Sequence, residues 1–169
     1  AVSKASGAEI IERPKHLATD IATTESVIEH AISLIEPQPD ILILLQPTSP
    51  LRPKGSLEKA INKFIDGGFD SLLSLSPTHN FFWTIDSDIA HSEYDYNNRP
   101  RRQDIEASEM KYIENGSIYI FTKDSFMLNN NRLGGKIGYV IFDEEYGHEI
   151  DTPQDLKILE QISRDILNS

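Results

Sequence analysis

Ile41-Leu42-Ile43-Leu44-Leu45-Gln46-Pro47-Thr48-Ser49-Pro50-Leu51-Arg52 is the stretch on which the fold turns. Ile41 to Leu45 run without a polar break into turn residues, the pattern of a buried parallel strand. Loops that leave the carboxyl ends of such strands are where open α/β sheets bind ligands. This one carries two prolines, two hydroxyls, an amide and a guanidinium. The prolines stiffen it, so its polar groups are presented with little entropy left to lose. The same residues equally suit an ordinary strand-to-helix connection.

Working outward, Ser56 caps a helix whose apolar stripe is Leu57, Ala60, Ile61, Phe64 and Ile65, and Gly67-Gly68 ends it. Ser71 to Leu75 is a second strand. Upstream, a helix from about Thr23 carries Val27, Ile28, Ala31, Leu34 and Ile35 on one stripe and stops at Pro37 and Pro39. Glu9 to Glu12 reads as a short strand, and Ala1 to Ser6 with Gly7 as the last turn of a helix. This alternation predicts α/β architecture, a doubly wound layer structure around a mostly parallel sheet.

After Pro77 the pattern changes. His79 to Trp83 is aromatic, and Asp86 to Glu109 is polar and aperiodic, a length of loop usually functional or held by a partner. Lys111 to Phe121 returns to strand character around Asn115-Gly116. Lys123 to Leu128 is a short helix, Gly134-Gly135 a turn and Ile137 to Phe142 a last strand. Thr152-Pro153-Gln154-Asp155 starts the terminal helix with a hydroxyl cap, a proline at N1 and an acid at N3. That helix is expected to bury Leu156, Leu159, Ile162 and Ile166.

The 169 residues are enough for one well-cored domain over 1–169 and too few for two comfortable ones. A net charge of −11 argues against nucleic acid or an anionic membrane surface as partner. A small anionic ligand stays compatible, because Arg99, Arg101 and Arg102 cluster. No apolar run approaches a membrane span and no secretory leader is seen. The absence of cysteine excludes disulfides and thiolate metal sites and fits a reducing compartment. A cytoplasmic location is therefore expected, and Asn115-Gly116-Ser117 is read as a chance glycosylation motif.

Glu149 and Asp151 lie two apart at a strand end, so strand geometry turns both carboxylates to one face. There they can share Mg²⁺ with nucleotide phosphates; alternatively they stabilise a helix N-terminus, which explains Asp151 better than Glu149. Arg101 and Arg102 can grip a carboxylate or phosphate bidentately, or form a solvated basic turn with Asp95 and Asp104. Thr23 and Thr24 can donate to a ligand, although capping their helix is the favoured role. The histidines at 16, 30, 79, 91 and 148 have no metal-like spacing; His30 reads as structural and His79 is left without a role.

The string Leu44-Leu45-Gln46-Pro47-Thr48-Ser49-Pro50-Leu51-Arg52 resembles the signature of the acylneuraminate cytidylyltransferases, the CMP-sialic acid synthetase family. Further segments are similar in the same order: Arg13-Pro14 with Leu17-Ala18-Thr19-Asp20; Arg99 to Asp104; Glu114-Asn115-Gly116-Ser117-Ile118-Tyr119; and Glu149-Ile150-Asp151-Thr152-Pro153. The resemblance implies a Rossmann-like nucleotide-diphospho-sugar transferase fold and transfer of CMP from CTP to a nine-carbon 2-keto sugar acid. It implies sugar contacts at Gln46, Thr48, Asn115, Gly116 and Tyr119, a bracing role for Arg52, and nucleotide proximity for Arg13. It lifts one of Arg101 and Arg102 to a carboxylate contact, and it supports Mg²⁺ at Asp151, joined by Glu149. A homodimer is expected, with an excursion over 86–110 reaching the partner. The family is expected to open on a strand and a basic Gly/Ser loop that holds the triphosphate. No such segment stands here, so the reading expects an N-terminally incomplete chain. A non-catalytic sugar-nucleotide binding module, or an activator of legionaminate or pseudaminate, are the alternatives.

Overall fold

In a computed structural model the described residues are 2–106 and 109–168. A sheet of four strands is ordered β1 (Ile41–Leu44), β5 (Lys111–Thr122), β2 (Ser71–Thr78), β6 (Ile137–Ile141). A separate two-stranded hairpin is formed by β3 (Trp83–Asp86) and β4 (Ile89–Ser92). The helices are α1 (Val2–Ala5), α2 (Thr24–Leu34), α3 (Ser56–Gly67), α4 (Lys123–Asn129) and α5 (Pro153–Asn168).

The sheet is mixed, which corrects the expectation of mostly parallel pairing. β2 pairs with β6 in parallel, whereas β5 runs antiparallel to both β1 and β2. The reason lies in the connection. From Thr78 the chain makes its excursion and returns at the same end, pairing Thr78 with Lys111, so no crossover helix turns it round. β1, β2 and β6 therefore share a direction and send their carboxyl ends to one edge.

Helices cover both faces. Ile28 and Ile32 of α2 and Phe126 of α4 pack with Leu73, Tyr119 and Phe121 on one face. Ala60 and Phe64 of α3 pack with Leu72, Ile118, Ile120 and Phe142 on the other. Because successive residues of a strand point to opposite faces, Leu72 and Leu73 feed different clusters. β1 is less buried than its apolar run predicts. Leu42 and Leu44 pack against the α2 cluster, but Ile41 and Ile43 stay about two-fifths exposed (42% and 41%). It sits at the edge of the sheet and is covered on one face only.

Other local expectations need amending. Glu9 to Glu12 forms no strand, and these residues are exposed. The α3 N-cap is Gly55, at φ 74°, rather than Ser56. Asp86 to Glu109 contains the second strand of a hairpin, with Ser87 at φ 55° in its turn. Within the predicted 86–110 excursion, Ala107 and Ser108 fall outside the described residues. In α5, Leu159 is buried but Leu156 is 46% exposed. The caps at Thr23 and Thr122 are as the chemistry demands, each accepting from the N–H three residues on. No helix among the described residues is long and apolar enough to cross a membrane.

Candidate active site

Three chain segments meet at the edge where β1, β2 and β6 end. The loop after β1 turns on a bond from the Ser49 N–H to the Gln46 carbonyl (3.2 Å). Arg52 braces it, donating from Nε to the Ser117 carbonyl (3.1 Å) and from Nη2 to the Gln46 carbonyl (3.4 Å). Burial lowers the Arg52 pKa from its ordinary value. The third segment, Glu149 to Asp151, is tied to this loop by the Ile150 N–H, which donates to the Thr48 carbonyl at 2.8 Å.

The second segment is a bulge in β5. Leu73 pairs with Tyr119 and Leu75 with Glu114, so Ser74 alone faces residues 115 to 118. Such a bulge strands backbone groups that must find other partners. Here side chains supply them. The Asn115 Oδ1 accepts from the Ser117 N–H (3.2 Å) and the Ser74 hydroxyl (2.5 Å), while the Asn115 Nδ2 donates to the Ser76 hydroxyl (3.0 Å). The Ser74 Oγ in turn accepts from the Ile118 N–H at 2.8 Å. Asn115, Ser74, Ser76 and Ser117 are all essentially inaccessible.

Gly116 stands at the crown of this bulge with φ 63°. A Cβ there would fall 2.0 Å from Glu149 Oε1, 2.5 Å from Ser49 Oγ and 2.8 Å from Gln46 Oε1. The glycine is needed for both its dihedral angle and its missing side chain. The Ser49 hydroxyl donates to Glu149 Oε1 at 3.0 Å. A carboxylate, an amide and a hydroxyl thus converge on one backbone crown.

The other sequence-predicted residues distribute around this point. Asp151 and Thr48 are exposed; Gln46 and Glu149 are half-buried. Asp155 closes the α5 cap, accepting from the Thr152 hydroxyl (2.8 Å) and the N–H groups of Thr152 (2.7 Å) and Asp151 (3.1 Å). The Thr152 bonds hold its carboxyl below the ordinary range. Tyr119 lies in the core and donates its hydroxyl to Glu114 Oε2 at 2.8 Å, and burial followed by that contact raises it to about 12. Arg101 bonds Asp104 (2.6 Å), and Arg102 bonds Glu144 (3.2 Å) in the loop that leads to Glu149. Arg13 is exposed, Thr23 caps α2 and Thr24 is its first residue.

Glu149 and Asp151 offer the hard oxygens that Mg²⁺ prefers, and one Glu149 oxygen is already committed to Ser49. No cluster of three or more metal-ligating side chains occurs among the described residues. That donor set fits Mg²⁺, which keeps waters and phosphate oxygens beside one or two carboxylates. Sequence reasoning missed Ser49, Ser74 and Ser76 as members of the network. Their signal was polar side chains within and just beyond otherwise apolar strands.

No protein-family model matches the chain. It is 29% identical over 165 residues to the N-acylneuraminate cytidylyltransferase of Oncorhynchus mykiss, covering 95% of this chain and 37% of that protein. It is 30% identical over 166 residues to the post-translational flagellin modification protein B of Campylobacter coli, covering 93% of this chain and 68% of that protein. The chain therefore spans a little over a third of the first relative's length. In fold it is similar to the 4-diphosphocytidyl-2C-methyl-D-erythritol synthase of Anaerococcus prevotii DSM 20548, with a TM-score of 0.57 at 12% identity. That likeness covers 84% of this chain and 67% of the other.

Proposed function

The chain belongs to the acylneuraminate cytidylyltransferase family, and on that premise we propose that it serves cytidylyl transfer from CTP to a nine-carbon 2-keto sugar acid. The observation that carries this reading is the convergence of Gln46 and Ser49, Gly116, and Glu149, drawn from three motifs far apart in sequence. In the reaction, the anomeric hydroxyl attacks the α-phosphorus of CTP. A new O–P bond forms, the bond from that phosphorus to the β-phosphate bridging oxygen breaks, the hydroxyl proton is lost and pyrophosphate leaves.

Little covalent chemistry falls to the protein, so its work is positioning and charge neutralisation. Gln46 and Thr48 hold the sugar from the stiffened loop, and Gly116, lacking a Cβ, leaves room for Gln46, Ser49 and Glu149 to meet beside it. Asn115 and Tyr119, buried as they are, act from beneath by fixing the shape of the bulge and its strand. One of Arg101 and Arg102 takes the substrate carboxylate, exchanging its present carboxylate partner. Arg13, with Thr23 and Thr24 at the start of α2, serves the nucleotide. Glu149 and Asp151 would hold Mg²⁺, which supplies neutralisation of the triphosphate when bound.

We read the sheet as part of a doubly wound nucleotide-diphospho-sugar transferase fold in a single domain over 1–169. A homodimer accords with the β3–β4 hairpin, on which Trp83 is 47%, Ile85 78% and Ile89 62% exposed. Sedimentation tests it: an Ile85→Glu variant is expected to shift a dimer to monomer, and a wild-type monomer refutes it.

A second reading, in which the acid is legionaminate or pseudaminate, stands beside it, since one relative is named for flagellin modification rather than for N-acylneuraminate. Incubating the chain with CTP, Mg²⁺ and each acid, and following pyrophosphate, separates the two. Absence of pyrophosphate with every acid sinks catalysis for this chain and leaves the binding-module reading.

A further inference from the structure

Ser56, Lys59 and Lys63 lie three and four positions apart on α3, so one face of the helix carries all three. That face meets the end of β6 across a cleft of about 310 Å³, which Lys54 also lines, opposite Val140 to Asp143. Ser56 is 5% exposed, and its hydroxyl has no hydrogen-bond partner among the described residues. Its N–H is already committed to the Pro53 carbonyl at 3.0 Å. Buried polar side chains nearly always bond something. Because Ser56 lines the cleft, the partner within reach of its hydroxyl is whatever fills that space.

The charge of the lining says what that is. The chain carries a net charge of −11, yet this cleft gathers Lys54, Lys59 and Lys63 against the single carboxylate of Asp143. None of the three ammonium groups forms an ion pair among the described residues. Lys63 lies over the Tyr139 ring at 4.2 Å, which holds it beside the cleft. The helix start adds to the same field. Its N-cap, Gly55, has no side chain to cap the first turn, and the acid of that turn, Glu58, does not line the cleft. Such a set selects an oxyanion. Lysine meets phosphate as a compact point charge, whereas a planar carboxylate is better matched by a guanidinium fork.

We propose that the cleft between α3 and β6 is a phosphate-binding site, in which the Ser56 hydroxyl donates to one oxygen and Lys54 and Lys59 neutralise the group. It goes beyond the cytidylyltransferase reading and is a separate place in the molecule, since Gln46, Ser49, Gly116 and Glu149 do not line it. Pro53, which does line it, follows Arg52 directly, so an occupant touches the chain next to the braced loop. Inorganic phosphate and pyrophosphate both offer the required oxyanion. Asp143 opposes either one, and removing its charge strengthens the site.

The test titrates the whole chain with inorganic phosphate and, separately, with pyrophosphate at low salt, read by calorimetry and by the NMR amide signals of Ser56 and Leu57. Both signals are expected to move with each anion. Tighter pyrophosphate assigns the cleft to a diphosphate and equal affinities to a single phosphate group; either result supports the site. Ser56→Ala is expected to weaken binding about fivefold, the scale of one hydrogen bond. Lys59→Glu should weaken it about tenfold, and Asp143→Asn should tighten it about fivefold. The melting temperature of the ligand-free Ser56→Ala chain is expected not to fall, because the hydroxyl has no bond to lose and alanine suits a helix. Ser56 and Leu57 signals that stay still at millimolar phosphate and pyrophosphate overturn the inference. So does movement confined to Gly116 and its neighbours, or unchanged affinity in both Ser56→Ala and Lys59→Glu. None of these results touches the cytidylyltransferase reading, since neither CTP nor a sugar acid is present. The wild-type signals decide the matter even where a variant fails to fold.

Discussion

The Ser49 hydroxyl donates to Glu149 Oε1 at 3.0 Å, across a hundred positions of sequence. This bond joins the proline-stiffened loop to the acidic segment that precedes α5. Ser49 is 1% exposed, so its hydroxyl has this partner rather than water. Ser49→Ala is expected to cost about 1–2 kcal/mol in a urea or thermal melt, since the lost bond is to a charged group. It should also slow pyrophosphate release about tenfold by freeing the Glu149 carboxylate to turn. Unchanged stability and rate would mean that the bond orients nothing.

Gly116 tests the convergence itself. Gly116→Ala places a methyl 2.0 Å from Glu149 Oε1 at a φ of 63°. Dihedral strain and crowding together are expected to destabilise the chain by about 2–3 kcal/mol. Activity should fall further than stability alone explains, by about a hundredfold, because the displaced groups are the ones that position the substrate. Kinetics at a temperature where the variant is fully folded separate the two effects.

Metal dependence tests Asp151. Chelation with EDTA is expected to abolish pyrophosphate release and added Mg²⁺ to restore it. Asp151→Asn should raise the Mg²⁺ concentration for half-maximal rate at least about tenfold, the scale of losing even an outer partner of a metal site. An unchanged Mg²⁺ profile would reduce Asp151 to its place before the α5 cap, where its backbone N–H already bonds Asp155.

Alkaline unfolding tests Tyr119. Its folded value is raised from 10.0 to about 12, by burial first and the Glu114 contact second. The folded chain therefore holds this proton more tightly than the unfolded chain. The associated stability is complete below pH 10 and is lost as pH rises toward 12. Tyr119→Phe removes the group, and its stability is expected to depend less steeply on pH across that window. Denaturant melts at a series of pH values check the slope.

Much of this was legible in the chain itself. Helical periodicity marked α2, α3 and α5; the stripes of α2 and α3 meet the sheet at Ile28, Ala60 and Phe64, and α5 buries Leu159. The bracing role that the resemblance implies for Arg52 is seen in its two carbonyl contacts. The β3–β4 hairpin was not legible, because each strand is only four residues long and almost wholly exposed, so no buried face repeats often enough to mark it. Leu156 was expected inside on periodicity alone, yet a stripe says only which face can be covered.

By itself the sequence determined the longer helices, the stiffness of the Gln46 to Arg52 loop and the family, because propensity, capping and motif order are written in consecutive residues. Only the tertiary structure decided that β5 runs against its neighbours and that its bulge is closed by Ser74, Asn115 and Ser76. It alone brought Glu149 to Ser49 and set Ser56 of α3 across a cleft from the end of β6. Strand direction depends on where an excursion returns, and a buried polar network depends on which distant groups are stranded together. Neither is a property of any short run of residues.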